Sequence, residues 1–284
     1  MCSSDLQRKK CHLLNIFLFI QFYLKKKRSA VAFLHLHIMS KPLILVCNDD
    51  GITAPGITHL IKLIKHLGDV AVVAPDKPQS GMGHAITINS MLRVHATKFH
   101  DVFLEYSCTG TPVDCIKMAI NNLLPRKPDL CLSGINHGSN SSINVIYSGT
   151  MSAAIEGSLE EIDSIGFSLC DYSHEADFEQ SNSFVLKIVE DVLKNKLPKG
   201  VCLNVNIPKL KSEDINGIKI CRQAMANWVE EFDERTDPNG RKYYWLTGKF
   251  VNFEQEKTDT DEWALLNGYV SVVPVKTEIG RAHV

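Results

Sequence analysis

The sequence has no C-x-x-C pair, no internal repeat, no low-complexity tract and no surplus of one charge sign. Thirty-one Lys and Arg stand against 32 Asp and Glu, a net charge of -1. A balance this even argues against a nucleic-acid partner and against a membrane surface. Nine cysteines is an odd count, and Cys47, Cys131 and Cys202 sit inside apolar runs. This pattern excludes a disulfide framework or a zinc site and predicts buried free thiols in a reducing, cytoplasmic setting. The 284 residues, 44% hydrophobic and 22% charged, suit one large domain or one domain with an appendage.

A long hydrophobic run is also missing. Residues 12–24, "HLLNIFLFIQFYL", follow "QRKK" as in a signal peptide, but "KKKRS" stands where a small-residue cleavage site belongs. The run is too short to span a bilayer, which takes about 20 residues. "CSSDL" at the start and "EIGRAHV" at the end resemble translated adapter DNA. The expectation is a non-native leader over 1–38, a native start at Met39, and one α/β domain over 39–284 with a truncated C-terminus.

What is present is an alternation of strands and helices. "LILVC" (43–47), "VAVVA" (70–74), "DLCLSG" (129–134), "SIGFSL" and "VCLNVNI" are continuous apolar runs, as in parallel strands covered on both faces. "AITI", "LRVHATKF" and "VFLEYSC" read as shorter strands, and "GYVSVVPV" (268–275) as a last core strand. Pro55 opens a helix whose Ile57, Leu60, Ile61, Ile64 and Leu67 recur at helical spacing, with Gly68 ending it. Thr111 and Pro112 cap and open "TPVDCIKMAINNLL". Further helices are expected in "SGTMSAAIEGSLEEI" and around 175–195. The series predicts an α/β fold with a Rossmann-like, doubly wound, mostly parallel sheet. After Pro208, two strand-like runs flank the turn Asp237-Pro238-Asn239-Gly240, which predicts a C-terminal β-hairpin arm at about 218–250. Its Trp228, Phe232, Tyr243, Tyr244 and Trp245 suit packing, either within the chain or on a partner subunit.

The first strand ends abruptly in Asn48-Asp49-Asp50-Gly51. In open α/β sheets ligands bind beyond the carboxyl ends of the strands. Two adjacent carboxylates there share a proton or hold a hard cation such as Mg²⁺, Ca²⁺ or Mn²⁺. Taken alone, "NDDG" is also an ordinary turn. Two other strand ends add polar loops, Pro75–His84 and Ile135–Ser142, and Tyr147-Ser148-Gly149-Thr150 leads into a helix. These supply neutral oxygens (Ser80, Asn136) and small donors (Asn140, Ser148, Gly149, Thr150). A helix start with free N–H groups suits a phosphate dianion. His84 and His137 flank the site as supporting hydrogen-bond groups or as acids for the leaving group. No Ser or Cys has a partner base at a recognisable spacing, and the D-x-D pattern of aspartyl-phosphate chemistry is absent.

Five ordered segments, "NDDGITAPGI", "VVAPDKPQSGMGHAIT", "GTPVDC", "SGINHGSN" and "YSGTMSAAIEG", resemble the motif set of the SurE (survival protein E) family of metal-dependent 5'-nucleotidases. The resemblance runs from about Met39 to Val275. It implies one divalent metal cation, Mg²⁺ or Mn²⁺, with Asp49, Asp50, Ser80 and Asn136 as ligands and Asp49 and Asp50 as the catalytic pair. Phosphate contacts then fall on Asn140, Ser148, Gly149 and Thr150. It further implies hydrolysis of nucleoside 5'-monophosphates, with 3'-monophosphates as further substrates, by a metal-activated water in a homodimer or homotetramer. The family's C-terminal tail is replaced here by "EIGRAHV", which puts the oligomer contacts in doubt. Two other readings stay open at this point: a non-catalytic nucleotide-binding regulatory module, and a phosphatase for other small phosphates or short polyphosphates.

Overall fold

Pairing begins with β1 (Leu43–Cys47), whose five residues are all buried. The computed structural model describes residues 41–173 and 175–276. The expected leader over 1–38 and the "EIGRAHV" end lie outside the described residues. In chain order there follow α1 (Pro55–Ile64), β2 (Asp69–Pro75), β3 (Val94–Ala96), β4 (Leu104–Cys108), α2 (Pro112–Met118), β5 (Leu130–His137), α3 (Asn144–Tyr147) and α4 (Gly149–Leu159). Then come β6 (Ser164–Leu169), α5 (Asn182–Asn195), β7 (Val201–Ile207), β8 (Ile218–Ile220), β9 (Ala226–Thr236), β10 (Lys242–Asn252), α6 (Asp261–Leu266) and β11 (Val270–Lys276).

Among the described residues nine strands form one sheet in the order β3-β4-β2-β1-β5-β6-β7-β11-β8. The chain leaves β1 toward β2 on one side and returns to pair β5 on the other, in both cases in parallel. β1 therefore sits at the topological switch point, where such sheets open a crevice at their carboxyl edge. The sheet is mixed, because β3 runs antiparallel to β4 and β11 antiparallel to β7. Ile44, Leu45, Val72, Leu132, Ile165 and Val205 line its interior with no exposure above 0%. Ile57, Leu60, Ile61 and Ile64 of α1 are buried against it. Each such side chain contributes about 1.5–3 kcal/mol over an exposed position. No helix among the described residues is long and apolar enough to cross a membrane.

Several expectations shift. "AITI" (85–88) forms no strand; instead the Thr87 N–H and hydroxyl donate to Asp114, and the Thr111 hydroxyl donates to the Ala85 carbonyl. "LRVHATKF" shrinks to β3, because the Thr97 hydroxyl and the Phe99 and His100 N–H groups donate to the Glu105 carboxylate. α1 ends at Ile64, one turn before Gly68. α2 has the expected Thr111 cap, closed as a capping box with Asp114, and then gives way to a π-helical turn over Ala119–Leu123. The helix expected around 175–195 starts at Asn182, after a 3₁₀ turn over Glu179–Ser181. The arm is bounded by Ala226 and Asn252, while Ile218–Ile220 pairs with β11 in the main sheet. Seven cysteines lie among the described residues, all as free thiols, and all but Cys170 are buried.

Candidate active site

The turn after β1 is built by Asn48. Its Nδ2 donates to the Gly51 carbonyl over 2.9 Å, and Gly51 takes φ +99, a backbone region that L side chains avoid. Asp49 and Asp50 project from this turn at the carboxyl edge of the sheet. Asp49 is 4% exposed and accepts a 2.5 Å bond from the Thr150 hydroxyl. Burial lifts its pKa to about 6, the Thr150 bond opposes the rise, and the Asp50 charge adds to it. Asp50 is raised as well, chiefly by burial, with His137 acting in the opposite direction. One Asp50 oxygen, Oδ2, and the Asn48 Oδ1 are buried with no hydrogen-bond partner among the described residues.

The other elements converge on this turn. The Gln79 N–H donates to the Asp49 carbonyl at 2.7 Å, and the Gly83 N–H to the Tyr147 carbonyl at 3.1 Å. The loop carrying exposed Ser80 is thereby strung between the acidic turn and the approach to α4. Asn136 sits where the β5–β6 register breaks, between Ser133 and Asn136. Its Nδ2 donates to the His137 and Gly138 carbonyls at 3.2 and 3.0 Å, so its Oδ1 is the atom left to act as a ligand. α1 packs hard on the same bulge: a Cβ on Gly56 would lie 1.9 Å from the Ile135 carbonyl oxygen. α4 begins beside Asp49. A Cβ on Gly149 would meet Asp49 Cβ at 2.6 Å and Oδ2 at 2.9 Å, so only glycine admits this approach. Ser148 caps α4 by accepting from the Met151 N–H at 3.0 Å.

The remaining residues are held in place more than aimed at a ligand. The Asn140 Nδ2 donates to Ser168 at 2.7 Å, and its own N–H donates to Asn206 Oδ1 at 2.8 Å. His84 Nε2 lies 2.8 Å from Glu156 Oε2, and Lys117 pairs with the same buried carboxylate from the other side. His137 rests edge-on against Phe178 with ring centroids 4.9 Å apart. Asn48, the Gly56 contact and the Thr150–Asp49 bond were not singled out from sequence. The asparagine was in view inside "NDDG", but contacts across the sheet leave no local pattern.

Among the described residues no group of three or more His, Cys, Asp or Glu is placed to hold a metal ion. The candidate set has only two carboxylates, completed by the neutral oxygens of Ser80 and Asn136. It fits a hard divalent cation on chemical grounds. Two carboxylates balance its charge, oxygen donors match its preference, and the orphaned Asp50 oxygen is a buried acceptor awaiting a positive partner.

Fold and site together define a doubly wound α/β protein with an acidic, cation-type centre set against a helix start suited to an anion. Comparison with known proteins narrows this class. The family model described as "Survival protein SurE" matches residues 44–230. The 5'-nucleotidase SurE of Christiangramia forsetii is 64% identical over 245 residues, covering 86% of this chain and 94% of that protein. Its counterpart from Flavobacterium johnsoniae is 63% identical, with 86% and 94% coverage. The crystal structure of the SurE protein from Aquifex aeolicus superposes with a TM-score of 0.74 at 40% identity, over 84% of this chain and 95% of that one. The chain belongs to the SurE family.

Proposed function

We propose that this protein is a metal-dependent 5'-nucleotidase that hydrolyses nucleoside 5'-monophosphates, with 3'-monophosphates as further substrates, to nucleoside and phosphate. The observation that carries the reading is the buried Asp49–Asp50 pair, raised in pKa and with one oxygen unpartnered, beside the start of α4. The names of the similar proteins support the same activity.

Asp49, Asp50, Ser80 and Asn136 would hold one divalent cation, Mg²⁺ or Mn²⁺. When bound, such a cation supplies Lewis acidity toward the phosphoryl group and toward water. The protein's own groups do the rest. Ser80 and Asn136 add no negative charge, so a phosphate dianion is not repelled by its own binding site. Gly149 and Thr150 would offer the N–H groups of the α4 start to the phosphate oxygens; Ser148, whose own N–H donates to the Asn144 carbonyl, would offer its hydroxyl proton, and Asn140 lines the approach. One carboxylate of the acidic pair accepts the proton from the attacking water. The bond from phosphorus to the bridging ester oxygen breaks in line with the attack, and that oxygen leaves with the nucleoside as its alcohol, taking the proton the carboxylate has just accepted. His84, tied to Glu156, steadies the Ser80 loop, and His137 steadies Asp50.

A homodimer or homotetramer is the proposed assembly, supported by the exposed aromatic arm. The free thiols support a cytoplasmic location. The test is phosphate release from a nucleoside monophosphate with Mn²⁺ or Mg²⁺, with and without chelator, for wild type and Asp50→Asn. Loss of at least ~10²-fold in the variant and silence under chelator are expected. Chelator-resistant activity, or a fully active Asp50→Asn protein, overturns the reading.

A further inference from the structure

Outside the acidic centre, one cleft stands out for where it lies. It opens between Tyr147 and the root of the arm, with a volume of about 450 Å³, lined by Tyr147, Trp228, Glu230, Leu246, Thr247 and Gly248. Tyr147 immediately precedes Ser148, Gly149 and Thr150, the start of α4. Its carbonyl also accepts from Gly83 at the end of the Ser80 loop, so its backbone is fixed beside the phosphate end of the site. Its side chain is half exposed.

Strand alternation puts Trp228 and Glu230 on one face of β9, and Leu246 and Gly248 on the same face of β10. The Trp228 ring is held from two sides. Its Nε1 donates to Asn144 Oδ1 at 2.8 Å, and its cross-strand partner Phe250 meets it edge-on at 5.6 Å. A ring anchored this way keeps 40% of its surface open without rotating freely. Gly248 pairs with Glu230 at φ +146, and a Cβ there would lie 2.5 Å from the Val229 carbonyl oxygen. Position 248 therefore brings backbone alone to the cleft wall.

We propose that this cleft holds the base of the nucleotide whose phosphate lies at the start of α4, with the Trp228 and Tyr147 rings supplying stacking faces. This rests on the nucleotidase reading above and names the recognition element of that site. Charge fixes the orientation. The Glu230 carboxylate makes no hydrogen bond or ion pair among the described residues. It would repel the phosphate dianion and accept from the neutral N–H and O–H groups of a nucleoside. The substrate thus has one end suited to each part of the site: a dianion for the cation and helix start, a flat neutral ring for the arm. The arm thereby becomes part of the substrate site as well as a surface for subunits.

Two measurements on the full chain test the proposal. The first is hydrolysis of AMP against ribose 5-phosphate, which has the same phosphate and sugar without the base. Trp228→Ala and Tyr147→Ala should each lower the ratio of the two kcat/KM values about ten-fold, because base–aromatic stacking is worth ~1–3 kcal/mol per base. Trp228→Phe, which keeps a ring and the arm's packing, should retain most of the ratio. The second is quenching of tryptophan fluorescence by adenosine, which needs no turnover; the signal should be present in wild type and lost in Trp228→Phe. A ratio within two-fold of wild type in both alanine variants overturns the subsite, as does equal quenching of wild type and Trp228→Phe. A wild type that binds adenosine at Trp228 but releases no phosphate from either ester upholds the subsite and overturns the nucleotidase reading.

Discussion

The Thr150 hydroxyl donates to Asp49 Oδ1 over 2.5 Å, linking the first carboxylate of the acidic pair to the first turn of a helix 101 residues later. Sequence reasoning assigned Thr150 to phosphate. In the structure its hydroxyl serves the carboxylate, favouring the charged form of Asp49. Thr150→Ala should therefore lower Mn²⁺ affinity, by about ten-fold or more if a hydrogen bond to a charged group is worth ~1.5–3 kcal/mol. Thr150→Ser should restore it. Titration calorimetry with Mn²⁺ decides the matter, and a Thr150→Ala protein with intact metal affinity and only a raised KM returns the hydroxyl to the phosphate.

The raised Asp49 pKa has a stability consequence with a definite sign. The unfolded carboxyl titrates at 3.8 and the folded one at about 6. Between those values the folded state binds a proton that the unfolded state has released, so stability falls as pH rises through this window. Above pH 6 the full cost applies, about 3 kcal/mol in the metal-free protein. Asp49→Asn removes it. The chelator-treated variant should melt higher than wild type at pH 7.5, by up to ~6–12 °C, with the gap closing toward pH 4. A gap independent of pH would place the effect elsewhere.

Gly149 makes a sharper steric test. Replacing a helical glycine with alanine ordinarily stabilises by about 0.4–1 kcal/mol. Here the new Cβ would press on Asp49 at 2.6 Å. Gly149→Ala should lose most metal-dependent phosphate release while retaining its fold by circular dichroism. An active Gly149→Ala enzyme would show that Asp49 need not stay where it is.

The arm can be removed cleanly, because Ala226 and Asn252 are cross-strand partners and a short turn can rejoin them. Excising the residues between them should lower the oligomeric state seen by light scattering and leave a folded core. An intact protein that is monomeric at micromolar concentration would refute the assembly role of Trp228, Tyr244 and Trp245.

Much of this molecule was legible before its structure. Strands buried on both faces read as unbroken apolar runs, and Thr111-Pro112 announced a helix start through chemistry local to four residues. The acidic pair and the two polar loops could be placed at one edge because a parallel sheet puts all strand ends on one side. What could not be read was where side chains would intercept backbone donors. Glu105 takes the Phe99 and His100 N–H groups and ends β3, and Asp114 takes the Thr87 N–H and leaves 85–88 unpaired. The arm's true start was hidden for a related reason: Ile218–Ile220 has strand composition, and only the location of β11 decides which sheet it joins. Contacts such as Gly149 against Asp49 join distant segments and have no signature within either one.

The two outermost strands of the main sheet, β3 and β8, are each three residues long. A border this short offers almost no ladder to a foreign strand, so the broad central sheet is guarded against lateral growth and fibril templating. The arm is the opposite case: eleven residues in each strand, paired among the described residues only with each other, with large exposed rings. Exposed strand length and exposed rings are thus concentrated on one projecting element. Substitutions on its exposed faces can therefore change what the arm contacts without disturbing the register of the main sheet that carries Asp49 and Asn136.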